Sequence, residues 1–436
     1  MSTIAAIATG PAAGGIGIIR LSGPASLMAA RRVVKSLPAA PVARHAYFTR
    51  FTNAVGAVLD EGLVLYFAAP HSMTGEDVVE LHAHGAPRLL SLLLGEVLRE
   101  DGVRLATAGE FTRRAFLSGR IDLSRAEAVA DLVAAESEAQ VRAAAAQLSG
   151  ELAARLQAVH EPLLALQADL EGSLDFPEET EGAEDDAAPR LAEGLAAVRR
   201  LLADARRGAL IRRGARVVLY GPVNAGKSTL FNALAGAARA LVDAEPGTTR
   251  DTLEARLELA GLAVTLIDTA GLREEAGRLE ALGIGRTREA LAGADLCVLV
   301  FPPEATADQR AAWRKEADSA RLVEVQGKSD LRAPADQLLG VSGQTGAGLS
   351  ELRERISARL GAAGASAVLA TSERHLAALE QVATALVRAQ EALSVSTLEV
   401  VAGELGLALH SLAELTGQDA STALLDAIFQ RFCIGK

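Results

Sequence analysis

The chain has 436 residues, half of them hydrophobic and 23% charged, a composition that excludes disordered and fibrous proteins and is long enough for two or three domains. A formal net charge of -11 with only 3% aromatic residues argues against bulk electrostatic attraction to nucleic acid and against a base-stacking platform, while leaving room for local basic patches. Two cysteines, Cys297 and Cys433, are too few for a disulfide framework and are not spaced as zinc ligands, and the seven histidines form no ligand cluster.

The N-terminus lacks the basic region of a signal peptide, and no run of 18 apolar residues occurs, so a cytoplasmic protein without a membrane span is expected. Residues 1–118 alternate short apolar runs with Gly and Pro, as in GGIGIIRLSGP, LDEGLVLYFAAP and DVVELHAHGAP, and carry a helical pattern over 87–99. That mixture predicts an α+β domain. From Leu123 to about Asp175 apolar residues recur at helical spacing, interrupted only by Gly150 and Pro162, where a break or kink is expected. The acidic stretch EETEGAEDD at 178–186 predicts a solvated loop, and a helix resumes over 190–212.

At Ala215 the pattern changes to alternating strands and helices, lasting to about Leu360, with strands in ARVVLY, TLEARLELA, LAVTLID, DLCVLVF, RLVEV and LLGVS. This predicts a parallel sheet covered on both faces. Helical periodicity returns from about Ala367 to Phe432. The expected organisation is a multi-domain chain: an α+β domain at 1–118, a discontinuous all-α domain at 119–212 and 363–436, and an α/β domain inserted at 213–362.

The inserted segment carries the chemistry. GPVNAGKST at 221–229 fits the P-loop pattern G-x-x-x-x-G-K-[ST] between a strand and a helix. Gly221 and Gly226 allow backbone N–H groups to curl around phosphate oxygens, with Asn224, Ala225 and Thr229 in the same cradle. Lys227 supplies positive charge to the transferring phosphates and counts among the catalytic residues; Ser228 offers Mg²⁺ a hydroxyl. GTTRD adds Gly247, Thr248 and Thr249 as a switch loop, Thr249 being the second expected Mg²⁺ ligand. DTAG contributes Asp268, Thr269, Ala270 and Gly271, placing a carboxylate near a metal-bound water and an N–H near the γ-phosphate.

In GKSD, Lys328 and Asp330 read the base: the Asp330 carboxylate accepts two donors from a guanine edge, a pairing adenine cannot make, worth roughly 10⁴-fold in discrimination. Ser342 and Gly343 lie in VSGQTG at 341–346, in the place of the last base-contacting loop. The pattern departs from common GTPases twice. Gly327 stands where N-K-x-D has asparagine, and Leu272 follows DTAG where Ras-like enzymes carry a water-orienting glutamine.

Beyond these motifs, GGIGIIRLSG at 14–23, TGEDVVELHAHG at 74–85, GEFTRRAFLSGRIDLSRAEAVADL at 109–132 and the terminal FCIGK make the whole chain resemble the MnmE (TrmE) family of bacterial tRNA-modification GTPases. The resemblance implies an N-terminal tetrahydrofolate-binding domain and a homodimer. It also implies work with MnmG, which brings FAD, to install an aminomethyl or carboxymethylaminomethyl group on carbon 5 of the wobble uridine of certain tRNAs. By the same resemblance Asn224, Asp243, Glu245 and Thr248 surround a K⁺ ion, with Asp243 and Glu245 also lining the GTP site, and Glu280 orients the attacking water. Arg20, Glu80, Arg120 and Lys436 map to the site for a 5,10-methylene- or 5-formyl-tetrahydrofolate, and Cys433 is either part of the modification chemistry or an inert thiol. Two other functions remain compatible with the motifs: an Era- or Der-like ribosome-assembly GTPase, and a folate-binding scaffold whose nucleotide domain is only a switch.

Overall fold

The computed structural model describes residues 2–175, 183–237, 239–240, 254–259, 261–269, 287–334, 338–361, 372–418 and 420–436. Two units separate: Met1–Ala130 with His410–Lys436, and Asp131–Leu409.

In the first unit, strands β1 (Thr3–Ile7), β2 (Gly14–Ser22), β3 (Ala46–Thr52), β4 (Val58–Phe67), β5 (Val78–Gly85) and β6 (Val103–Leu105) form one sheet in the order β3-β4-β5-β2-β1-β6. Only β1 and β6 pair in parallel. The side chains alternate as a half-covered sheet requires. Ile19, Leu21, Val79 and Leu81 are buried against helices α1 (Ser26–Val33) and α2 (Pro87–Val97), whereas Arg20 and Glu80, directly paired in register, point to the other face. Helix α3 (Glu110–Leu117) follows the sheet, α4 (Leu123–Val133) begins in this unit, and α13 (Thr422–Phe429) returns to it. Leu123, Ala126, Leu425, Ile428, Phe429 and Phe432 make their common core. Beyond it the chain's last residues lie along 108–111: Ala108 bridges Ile434, and the Phe111 N–H donates to the Lys436 carbonyl at 3.2 Å.

The second unit opens with helices α5 (Glu138–Leu148), α6 (Glu151–Asp175) and α7 (Ala183–Arg213), and α7 runs through Gly214 into the inserted sheet. The continuous helical segment expected from Leu123 is cut at 134–137 instead, because Ser137 and Gln140 form a reciprocal capping box that starts a new helix. Gly150 does mark a break, whereas Pro162 sits inside α6 without ending it, where burial of Val159, Leu163 and Leu166 offsets the ~3 kcal/mol a mid-helix proline costs. The acidic stretch is also not wholly a loop, since α7 begins within it at Ala183; residues 176–182 lie outside the described residues. Helix α11 (Glu373–Val395) packs against α7 and buries Ala378, Val382, Ala385 and Ala389, spaced three and four apart. Helix α12 (Leu398–Thr416) begins in this unit.

The inserted sheet comprises β7 (Ala215–Tyr220), β8 (Arg239–Ala240), β9 (Glu254–Leu259), β10 (Leu262–Asp268), β11 (Leu296–Phe301), β12 (Leu322–Gln326) and β13 (Leu339–Gly340), ordered β13-β12-β11-β7-β10-β9-β8. Its strands from β13 to β10 are parallel, but β9 is antiparallel to both β10 and β8, so the sheet is mixed rather than all-parallel. Two residues connect β9 to β10, with Gly261 at φ 82°, and so short a link permits only a hairpin. LLGVS contributes only a two-residue strand. Both faces are covered, as expected. Val217 and Leu219 face one core with α8 (Lys227–Ala237) and α10 (Leu349–Arg359), and Val218, Tyr220 and Phe301 face another with Trp313 of α9 (Ala307–Arg314).

Candidate nucleotide and tail sites

The P-loop connects β7 to α8, at the carboxyl edge of the sheet where open α/β folds bind ligands. Its backbone is bent by three left-handed residues: Gly221 at φ 141°, Asn224 at 63° and Gly226 at 93°. A Cβ on Gly221 would stand 2.3 Å from the Val300 carbonyl oxygen, so only glycine lets the loop leave β7 beside β11. The buried Lys227 ammonium donates to the carbonyls of Gly221 at 3.0 Å and Pro222 at 2.8 Å, which holds it over the loop. Ser228 and Thr229 follow, exposed, in the first turn of α8, whose N–H groups and dipole favour an anion.

Asp268, buried at the end of β10, is in register with Leu219 of β7, and the Thr269 hydroxyl donates to the Leu219 carbonyl at 3.0 Å. A carboxylate therefore stands at the strand end beside the P-loop's entry. That carboxylate and the Ser228 hydroxyl are oxygen donors of the kind a hard cation such as Mg²⁺ takes. The GKSD loop leaves β12 on the other side of β11. Lys328 adopts a left-handed φ of 54°, its side chain running beside Gly226, and Asp330 is exposed beyond it. Ser342 is buried, its hydroxyl accepting from the N–H groups of Gln344 and Thr345, and a Cβ on Gly343 would approach the Thr229 carbonyl to 2.6 Å. The structure thus brings Gly221 to Thr229, Asp268, Thr269, Lys328, Asp330, Ser342 and Gly343 to one edge of one sheet.

Asp243, Glu245, Gly247, Thr248, Thr249, Ala270, Gly271 and Glu280 lie outside the described residues, as does Leu272. One contributor lies outside the sequence motifs. Buried Gln326, the last residue of β12, donates its amide to the carbonyls of Arg332 and Ala333 at 3.0 and 3.3 Å and so ties down the loop that presents Asp330. Its position just before GKSD was the available signal.

The other candidate residues meet in the first unit. Arg20 Nε donates to Glu80 Oε1 at 2.8 Å, and both side chains are largely covered, so they are not free surface charges. Arg20 also lies 5.8 Å from the centre of the Phe111 ring and donates from Nη1 to the Gly435 carbonyl at 3.4 Å. His82 Nε2 stands 3.1 Å from the second Glu80 oxygen. Gly435, at φ 99°, fits because it has no Cβ: one would fall 2.3 Å from the Ile7 carbonyl oxygen. Arg20, Glu80 and the backbone of Lys436 are therefore brought together, while Arg120 is exposed after α3, beside Gly75. Cys433 is exposed and free; Cys297 is buried in β11, and that burial pushes its thiol up to about 11, as befits a core residue.

Residues 3–120 match the family model described as GTP-binding protein TrmE N-terminus, and residues 123–433 match that described as MnmE helical domain. A tRNA modification GTPase MnmE of Myxococcus xanthus is 60% identical over all of this chain and 99% of its own length. The chain belongs to the MnmE family of tRNA modification GTPases. Further MnmE relatives, from Thiobacillus denitrificans and Bordetella petrii, are each 44% identical over 99% of this chain and 98% of their own length. The matched residues span both units. Among the described residues no helix is long and apolar enough to cross a membrane, and no group of three His, Cys, Asp or Glu side chains is arranged to hold a metal.

Proposed function

We propose that this chain is a K⁺-activated GTPase which, with MnmG, adds an aminomethyl or carboxymethylaminomethyl group to carbon 5 of the wobble uridine of certain tRNAs, in the cytoplasm. Dimerising G domains gate the reaction through GTP hydrolysis. The observation that carries the reading is the convergence of P-loop, Asp268 and the GKSD loop on one sheet edge, in a chain whose other unit folds its last residues against Arg20 and Glu80.

The domain scheme that goes with it is a folate-binding and dimerisation domain at 1–118, helical halves at 119–212 and 363–436, and a G domain at 213–362. The P-loop N–H groups and Lys227 bind and orient the phosphates, and Asp330 selects guanine. Ser228 and Thr249 are the residues to hold Mg²⁺, which when bound neutralises developing phosphate charge. Asn224, Asp243, Glu245 and Thr248 hold K⁺ where other GTPases receive an arginine finger, and Glu280 positions water in place of the missing glutamine.

In the first unit Arg20, Glu80, Arg120 and Lys436 take the tetrahydrofolate derivative that supplies the one-carbon unit, with Cys433 beside it and FAD arriving only on MnmG. The Arg20–Glu80 pair supports this role: it offers a cation and a carboxylate side by side in a half-covered setting, as recognition of a ligand with both acidic and donor groups requires. The test is twofold: GTP turnover in K⁺ and in Na⁺, and wobble-uridine mass spectrometry in a strain whose own copy of the gene is replaced by this one. Equal turnover in the two salts would refute the K⁺ role, and unmodified uridine would refute the tRNA role.

A further inference from the structure

Gly327 stands where the N-K-x-D motif has asparagine, and its surroundings leave no room for one. A Cβ built on it would lie 2.1 Å from the backbone oxygen of Ala225 in the P-loop and 3.0 Å from Val300 Cγ1. Neither neighbour can yield cheaply. Ala225 is fully buried in the core with α8, and Val300 is fully buried in the interior strand β11. Gly327 is also held in place from its own side: its N–H donates to the Phe301 carbonyl at 2.8 Å, and Gln326 ties the residues that follow. Next to it, Lys328 Cγ comes within 3.5 Å of the place a Cβ on Gly226 would take.

We propose that Gly327 is a positioning residue: its missing side chain lets the guanine-reading loop rest directly on the P-loop, and that backbone contact sets the separation between base and phosphate recognition. A GTP molecule spans both halves, and its own length is nearly fixed. Any side chain at 327 must push the halves apart by roughly an ångström to restore ordinary contact distances, after which the ligand can satisfy only one half well. Restoring the motif's asparagine therefore weakens binding, contrary to what the bare motif implies. The inference rests on the guanine-nucleotide reading given above.

The experiment is titration of a fluorescent GDP analogue, and steady-state GTP kinetics, on the full chain and on Gly327→Ala and Gly327→Asn. Both variants are expected to bind at least tenfold more weakly, Gly327→Asn no better than Gly327→Ala, with KM for GTP rising by a larger factor than kcat falls. Thermal melting of the nucleotide-free proteins identifies any variant that does not fold; Gly327→Ala, the smaller change, then carries the test. Affinity of Gly327→Asn equal to or above that of the unaltered chain would overturn the proposal, as would a fall in kcat at unchanged KM. Failure of the unaltered chain to bind GDP would instead remove the guanine-nucleotide reading itself.

Discussion

At the scale of single residues, the two carboxylates Asp330 and Glu110 show how environment assigns a role. Asp330 is exposed on a loop whose shape is held by the Gln326 amide, so its charge is free to meet a ligand. Asp330→Asn turns one accepting oxygen into a donor, and is expected to lose GTP affinity by at least two orders of magnitude while gaining affinity for xanthosine triphosphate. Competition binding of the two nucleotides measures this; unchanged GTP affinity would remove the assignment. Glu110 is buried instead. Burial pushes its carboxyl up, but hydrogen bonds from Arg104, the Thr107 N–H and Arg114 outweigh that and bring it down to about 2 from an ordinary 4.5. A carboxylate with a lowered folded-state pKa stabilises the fold above pH 4.5, and the contribution disappears as pH falls through 4.5 towards 2. On the order of 2 kcal/mol should be lost from the first unit across that window. Glu110→Gln should flatten this acid limb, as read by amide hydrogen exchange in β6 and α3.

At the scale of elements, caps and close approaches decide more than periodicity does. Ser137→Ala removes one arm of the capping box that separates α4 from α5 and should cost about 1 kcal/mol, measurable by urea denaturation. The tail is held by a different device. Gly435 passes so near Ile7 that Gly435→Ala must lift it, breaking the contacts of Arg20 with Gly435 and of Phe111 with Lys436. Wobble-uridine modification should then fall at least tenfold while GTP turnover by the same protein falls far less. Comparable losses in both would show that the tail does not act in the modification step. A truncation made for the same purpose should begin after Phe432, because that ring is buried against Phe429 in the core.

At the scale of the whole molecule, the P-loop residues lie in the second unit and the Arg20–Glu80 pair in the first, so under the proposed function mutations in one unit are expected to separate hydrolysis from modification. If K⁺ takes the place of an arginine finger, replacing it with Na⁺ should remove a large part of the ~10³–10⁵-fold such a finger supplies, with GTP affinity little changed. Turnover at saturating GTP in the two salts decides it. Exposed Phe48 and Leu63, paired across β3 and β4, leave an apolar strip on the first unit's sheet that is consistent with the proposed homodimer.

The sequence by itself determined the features that depend on local order along the chain. A glycine-lysine-serine run after an apolar strand can do little except wrap phosphate, and β7, β10, β11 and β12 show as apolar runs because both faces of that sheet are buried. The full-length resemblance carried the family. The antiparallel β9 was missed: strand–helix alternation pointed to a parallel sheet, and only the observed pairing of β9 with β10 shows the hairpin. Tertiary structure decided whatever depends on residues far apart in the chain. Pro162 stays within a helix because its neighbours are buried, an energy no local propensity contains. Arg20 and Glu80, sixty positions apart, become a covered pair only through strand register, and Gly435 reaches Arg20 only after the chain has closed on itself. Gly327 reads in the sequence as a defect in a motif; the fold makes it a contact, because the atom that fills the space of its side chain belongs to Ala225, about a hundred residues earlier.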